Sequence, residues 1–111
     1  MAIYSNLSVD QGTTFTAYVD VTDNAGDAFN LTGYTVAGQI RKNYNSLTSI
    51  VFTAVLSNPG GGTISLELSD TQTNAMKAGR YVYDVEVTSA GGEITRVVEG
   101  QVEVFAGVTR G

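Results

Sequence analysis

The chain has no cysteine, no histidine and no tryptophan, one proline (Pro59), and 6 lysines and arginines against 11 aspartates and glutamates. Without cysteine there can be no disulfide framework, no thiol nucleophile, no Cys-based zinc site and no thiolate-bound iron–sulfur cluster. The redox compartment is thereby left open. Without histidine the commonest general base, proton shuttle and transition-metal ligand are all missing. A catalytic role is therefore not expected, and no catalytic, cofactor-binding or metal-ligating residue is assigned. The formal charge of −5, with its few cations scattered, argues against nucleic acid, because phosphate binding needs clustered cations. No stretch approaches membrane-spanning length, and residues 1–6 lack the basic start and apolar run of a secretory signal. The expectation is a complete, cytosolically made product, in which Asn6-Leu7-Ser8 and Asn30-Leu31-Thr32 would not be glycosylated.

What the chain does contain is two-residue alternation. Its 111 residues predict one domain spanning 1–111, long enough to bury about two-thirds of its unfolded surface in a single core. The clearest stretch is 68–87, where one strand ends, a short helical turn crosses over and another strand begins. Tyr81, Tyr83, Val85 and Val87 share one side of residues 80–88, while Arg80, Val82, Asp84, Glu86 and Thr88 share the other. Ser69 and Gln72 have the spacing of a capping box, and Gly79 closes the turn.

Residues 1–10 read as an arm leading into a first strand through Ile3, Leu7 and Val9. Residues 13–22 form a strand with Phe15, Ala17, Val19 and Val21 inward and Tyr18 outward. Residues 34–42 form another, with Tyr34, Val36, Gly38 and Ile40 on one face. Ile50, Phe52, Ala54 and Leu56 align in a fourth strand, and Ile64, Leu66 and Leu68 in a fifth. The last strand runs from Glu93 to about Phe105, with Ile94, Val98, Val102 and Val104 inward and a bulge expected at Gly100. Phe15, Val19, Val36, Ile40, Phe52, Ile64, Leu66, Leu68, Tyr81, Tyr83, Val85 and Val102 are the expected core. Strands separated by turn signals, with no long helical period, predict an all-β antiparallel sandwich of about seven strands. A small closed barrel is the second reading.

Residues 23–27 crowd oxygen ligands as a calcium loop would, but a hydrated turn accounts for the same residues. The glycines of 58–62 lead into a strand and lack the lysine of a phosphate loop. Asp84 and Glu86 lie beside Glu99, Gln101 and Glu103 on an outward face, where solvation keeps carboxylates from the separated pKa values of a glycosidase pair. More telling is an outward apolar set, Val51, Val55, Val82 and Val97, with Tyr18 and the loop residues Tyr44 and Leu47, which suggests that something covers it. The two ends add Ile3, Tyr4, Phe105 and Val108, apolar where a free terminus is usually polar, and are expected to be short arms making assembly contacts.

A tyrosine two residues past Gly79 also resembles the tyrosine corner of Ig-like sandwiches, whose hydroxyl ties the crossover to the backbone. Gln11-Gly-Thr-Thr-Phe15, Leu31-Thr-Gly-Tyr-Thr-Val-Ala-Gly-Gln-Ile-Arg41, Gly79-Arg-Tyr-Val-Tyr-Asp-Val-Glu-Val87 and Val98-Glu-Gly-Gln-Val-Glu-Val104 together resemble small Ig-like virion proteins of tailed bacteriophages. That resemblance implies a non-enzymatic structural protein made in the host bacterial cytoplasm and incorporated in the virion. A capsid decoration or cement subunit is the first expectation, bound to the major capsid protein or to neck and tail proteins, and able to self-associate. A neck, baseplate or fibre-adaptor component, or a carbohydrate-binding adhesion module, is the alternative. No cofactor, nucleic acid or membrane is implied.

Overall fold

The structure, a computed structural model, describes residues 3–23 and 25–108. Among these residues nine strands form two sheets: β1 (Ile3–Tyr4), β2 (Leu7–Asp10), β3 (Phe15–Asp20), β4 (Thr35–Arg41), β5 (Ile50–Val51), β6 (Thr53–Asn58), β7 (Thr63–Leu68), β8 (Gly79–Thr88) and β9 (Ile94–Phe105). The larger sheet runs β1/β2, β9, β8, β4, β5, and the smaller runs β3, β7, β6. β1 and β2 extend one line along β9, and β5 continues directly into β6, so the chain makes seven passes. This is the expected Ig-like β-sandwich with one short helix, α1 (Asp70–Ala75).

Alternation dictates most of the core. Tyr81, Tyr83, Val85 and Val87 of β8 are buried, as are Ile64, Leu66 and Leu68 of β7 and Ile40, Phe52 and Val102. Phe15, Val19 and Val36 pack against this core but stay half-buried; for Phe15 and Val19 the reason is that β3 is a sheet edge, with no strand among the described residues to close over them. Leu31 and Met76 are fully buried although neither lies in a strand.

The corner at the end of β7 is built as its sequence prescribes. The Ser69 hydroxyl accepts from the Gln72 N–H, and the Gln72 side chain accepts from the Ser69 N–H, closing both ends of a capping box. Buried Thr73 then ties α1 to the start of β3, its hydroxyl donating to the Thr13 carbonyl at 2.7 Å and accepting from the Gly12 N–H at 3.1 Å. The Tyr81 hydroxyl donates to the Lys77 carbonyl at 2.7 Å, completing a tyrosine corner.

Four expectations need correction. First, the amino-terminal arm belongs to the sandwich: β1 and β2 pair in parallel with β9, from Ile3 opposite Val98 to Asp10 opposite Phe105, and Val9 is fully buried. The larger sheet is therefore mixed, not wholly antiparallel. Second, the bulge in β9 is at Val97, since Val85 pairs with Val98 but Glu86 with Arg96. The extra residue turns Val97 inward, where it is 3% exposed, and turns Ile94 out to 63%. Third, Gly100 serves close approach instead: a Cβ there would lie 2.1 Å from the Ser5 carbonyl oxygen. Fourth, the single strand expected from Ile50 onward changes sheets at Phe52, leaving β5 on β4 and β6 on β7. The Phe52 N–H still donates to the Gly38 carbonyl at 3.0 Å, while its ring is buried between the sheets, 5.9 Å and edge-on from Tyr83.

Candidate functional site

The outer face of the larger sheet is assembled from residues that are distant in sequence but share one row. Tyr4 is opposite Glu99, Glu99 opposite Asp84, Asp84 opposite Gln39, and Gln39 opposite Val51. The row thus crosses five strands, polar in the middle and aromatic or aliphatic at its ends. The next row on one side holds Arg96, Glu86 and Ala37, and on the other Gln101, Val82 and Arg41.

Where Ala37 leaves the face low, a shallow hollow of about 370 Å³ opens, lined by Gln39, Arg41, Tyr44, Asp84, Arg96 and Glu99 among others. Asp84 and Glu99 are like charges directly opposite each other, a destabilising arrangement that Arg96 offsets by placing its Nε 3.2 Å from the Asp84 carboxylate. Both partners of that ion pair are well exposed, so its contribution to stability is small.

The loop carrying Tyr44 is held in place over this hollow. Ser46 N–H donates to the Asn43 carbonyl at 3.1 Å, and the Asn43 side chain accepts from the Asn45 N–H at 3.0 Å. The Arg41 guanidinium then spans two partners, donating to the Ser46 carbonyl and to the Gln39 side-chain oxygen. Tyr44 is left 79% exposed at the rim, on a turn whose geometry is fixed from below.

The other named residues do not converge on this face. Tyr18 and Val55 lie on the outer face of the smaller sheet, where both pair with Ser65 and screen it from solvent. Ile3 pairs with buried Val98 and is half-buried within the sheet. Leu47 and Val108 are almost fully exposed, and Phe105 is half-exposed where β9 ends beside Asp10. Residues 1–2 and 109–111 of the expected arms, and Asn24 of the calcium-like loop, lie outside the described residues. In that loop the Asp23 carboxylate accepts from the N–H groups of Ala25 and Asp27, the bonds of a hydrated turn.

Sequence reasoning passed over Gln39, Arg41 and Arg96 in this hollow. Arg41 sits two residues from Gln39 on a polar strand face and three from Tyr44, a signal visible only once that face is known to be concave. In the interior, burial raises the Tyr83 hydroxyl above the ordinary tyrosine range, partly opposed by its hydrogen bond to the Ser5 carbonyl.

No protein-family model matches the chain, and no curated protein matches it in sequence. Solved structures do match in fold. A chain from a structure concerned with T cell specificity and activation by the bacterial superantigen toxic shock syndrome toxin-1 aligns with a TM-score of 0.51 at 16% identity, over 91% of this chain and 93% of that one. The Listeria monocytogenes internalin-like protein lmo2027 aligns with a TM-score of 0.47 at 14% identity, over 96% of this chain but 28% of that one. Murine CRIg aligns with a TM-score of 0.40 at 10% identity, over 92% of each chain. The first of these likenesses shows an Ig-like fold and nothing further.

Proposed function

We propose that the chain is a non-enzymatic structural subunit of a tailed-phage virion, a capsid decoration or cement protein held by contacts with several neighbours. The observation that carries this reading is the distribution of its exposed apolar residues. Tyr4 and Val51 lie on the outer face of one sheet with Tyr44 at the rim of its hollow, Tyr18 and Val55 on the outer face of the other, and Phe105 and Val108 at one end. A subunit embedded among symmetry-related neighbours buries surface on more than one side, whereas a receptor with one ligand concentrates it. The sequence resemblance to virion proteins supports the same reading, as does the absence of histidine and cysteine.

The protein should band with intact particles on a density gradient, and a labelled antibody should decorate the capsid in electron micrographs. Label on the neck, baseplate or fibres would move the subunit to those parts. Absence from purified particles would end the virion reading. A sugar-binding adhesion module is the second reading, favoured by a fixed, exposed Tyr44 beside a hollow that offers both donors and acceptors. Glycan-array binding that Tyr44→Ala abolishes would establish it.

A further inference from the structure

The four edges of the two sheets are not equally protected. At one side of the larger sheet β5 is only two residues long, and at the other the edge is broken between β1 and β2 at Ser5-Asn6. In the smaller sheet β6 carries a register shift between Val55 and Asn58. Short strands, breaks and bulges are the devices that keep a sheet edge from pairing with another chain. β3 has none of them: its six residues pair with β7 in unbroken register, without proline, lysine or bulge.

The direction of its backbone groups follows from one bond. The Val21 N–H donates to the Gly62 carbonyl at 2.8 Å, so Val21 faces β7. Alternation then gives Val19, Ala17 and Phe15 the bonds to β7 and turns the N–H and C=O groups of Thr16, Tyr18 and Asp20 to the open side. The hairpin after β3 does not cover them, because Phe29 N–H bonds to the Val21 carbonyl on the β7 side. Among the described residues nothing pairs with this edge.

We infer that β3 is a self-association edge: a second copy of this chain pairs its own β3 antiparallel across a two-fold axis at Tyr18, fusing the two smaller sheets into one six-stranded sheet. The occupant is a second copy because the strand is complementary to itself. Centred on Tyr18, the pairing sets Tyr18 against Tyr18, a favoured aromatic cross-strand contact on the outer face. It sets Thr16 against Asp20, so that no like charges are directly opposed, and the Asp20 carboxylate is already bonded by the Thr63 hydroxyl at 2.8 Å. On the inner face it sets Ala17 against Val19, and it covers the core-facing side chains of Phe15 and Val19 that the edge leaves half-buried. A strand at the middle of a sheet has no free amides, so the three outward N–H groups of each copy find partners at once.

Sedimentation of the full chain over a range of concentrations tests this. The expected species is a reversible dimer of twice the 11.7 kDa chain mass, converted to monomer by Thr16→Lys or Tyr18→Lys without change of fold. Both positions are exposed on the outer face, and a lysine there is the residue that natural edges use against pairing. Hydrogen exchange gives a second measurement that needs no variant: the amides of Thr16, Tyr18 and Asp20 should be slow in concentrated solution and fast on dilution. A monomer at every concentration overturns the inference and leaves the edge for a strand of a different protein. A dimer that survives both lysines, or whose three amides exchange freely, overturns it in favour of another face.

Discussion

Replacing Gly100 by alanine should detach the amino-terminal strand while leaving the rest of the sandwich in place. The added Cβ would lie 2.1 Å from the Ser5 carbonyl oxygen and 2.8 Å from its carbon. Reaching an ordinary contact requires Ser5 to withdraw by roughly 1.3 Å. Ser5 is held at that point from several directions. Its N–H donates to the Glu99 carbonyl at 2.9 Å, its carbonyl accepts from the Tyr83 hydroxyl at 2.6 Å, and the next side chain, Asn6, accepts from the Gln101 N–H at 3.1 Å. Leaving the buried Tyr83 hydroxyl without a partner costs about 1–3 kcal/mol, and the Asn6 bond adds about 0.5–1.5 kcal/mol. The expected loss is therefore about 1.5–4.5 kcal/mol, a fall in Tm of roughly 6–18 °C for a chain of this size. Thermal unfolding followed by circular dichroism measures it. Because Tyr83→Phe already removes the hydroxyl, adding Gly100→Ala to it should cost less than the sum of the two single changes. A Gly100→Ala protein that melts within about 2 °C of the parent would mean that Ser5 yields to the methyl group without loss of these bonds, since surface changes alone stay in that range.

Two further outcomes follow from the two buried hydroxyls. Tyr81→Phe removes the corner bond to the Lys77 carbonyl and should lower stability by about 1–2 kcal/mol in urea unfolding, with the midpoint shifting and the slope unchanged. For Tyr83 the folded state favours the neutral phenol, so its proton is held to higher pH than in the unfolded chain. Its contribution is fully present below the unfolded value near pH 10 and is lost as pH rises above it. The stability difference between the parent and Tyr83→Phe, constant from pH 6 to about pH 9, should shrink above about pH 10. If it grows there, the sign of this linkage is wrong.

What could be read from the sequence was whatever alternation and turn chemistry control locally. β3, β7 and β8 lie where their two-residue period puts them, and the capping box and tyrosine corner formed from residues three or four apart. Long-range choices left no such mark. The inversion of Ile94 and Val97 comes from one extra residue opposite β8, which shows only when the two strands are aligned. The change of sheet at Phe52 interrupts neither the spacing nor the polarity of its strand. Parallel pairing of the arm with β9 could not be inferred from Ile3, Leu7 and Val9, because a buried strand looks the same whichever way its neighbour runs. The candidate site was legible in pieces, with Tyr44 exposed in a polar loop and Asp84 opposite Glu99. Its hollow depends on the small Ala37 and on the Arg41 guanidinium reaching the Ser46 carbonyl.

The parallel arrangement of the arm beside β9 also decides how the molecule bears load. Ile3 lies level with Val98 and Asp10 level with Phe105, so the chain enters along β1 at one end and leaves β9 at the other. Tension between these points drags the arm lengthwise against β9, and the bonds from Ser5 to Glu99 and from Gln11 to Phe105 are strained together, not opened one after another. Rupture then requires several bonds to fail in a single event, with the Tyr83–Ser5 contact acting as a peg across the sliding plane.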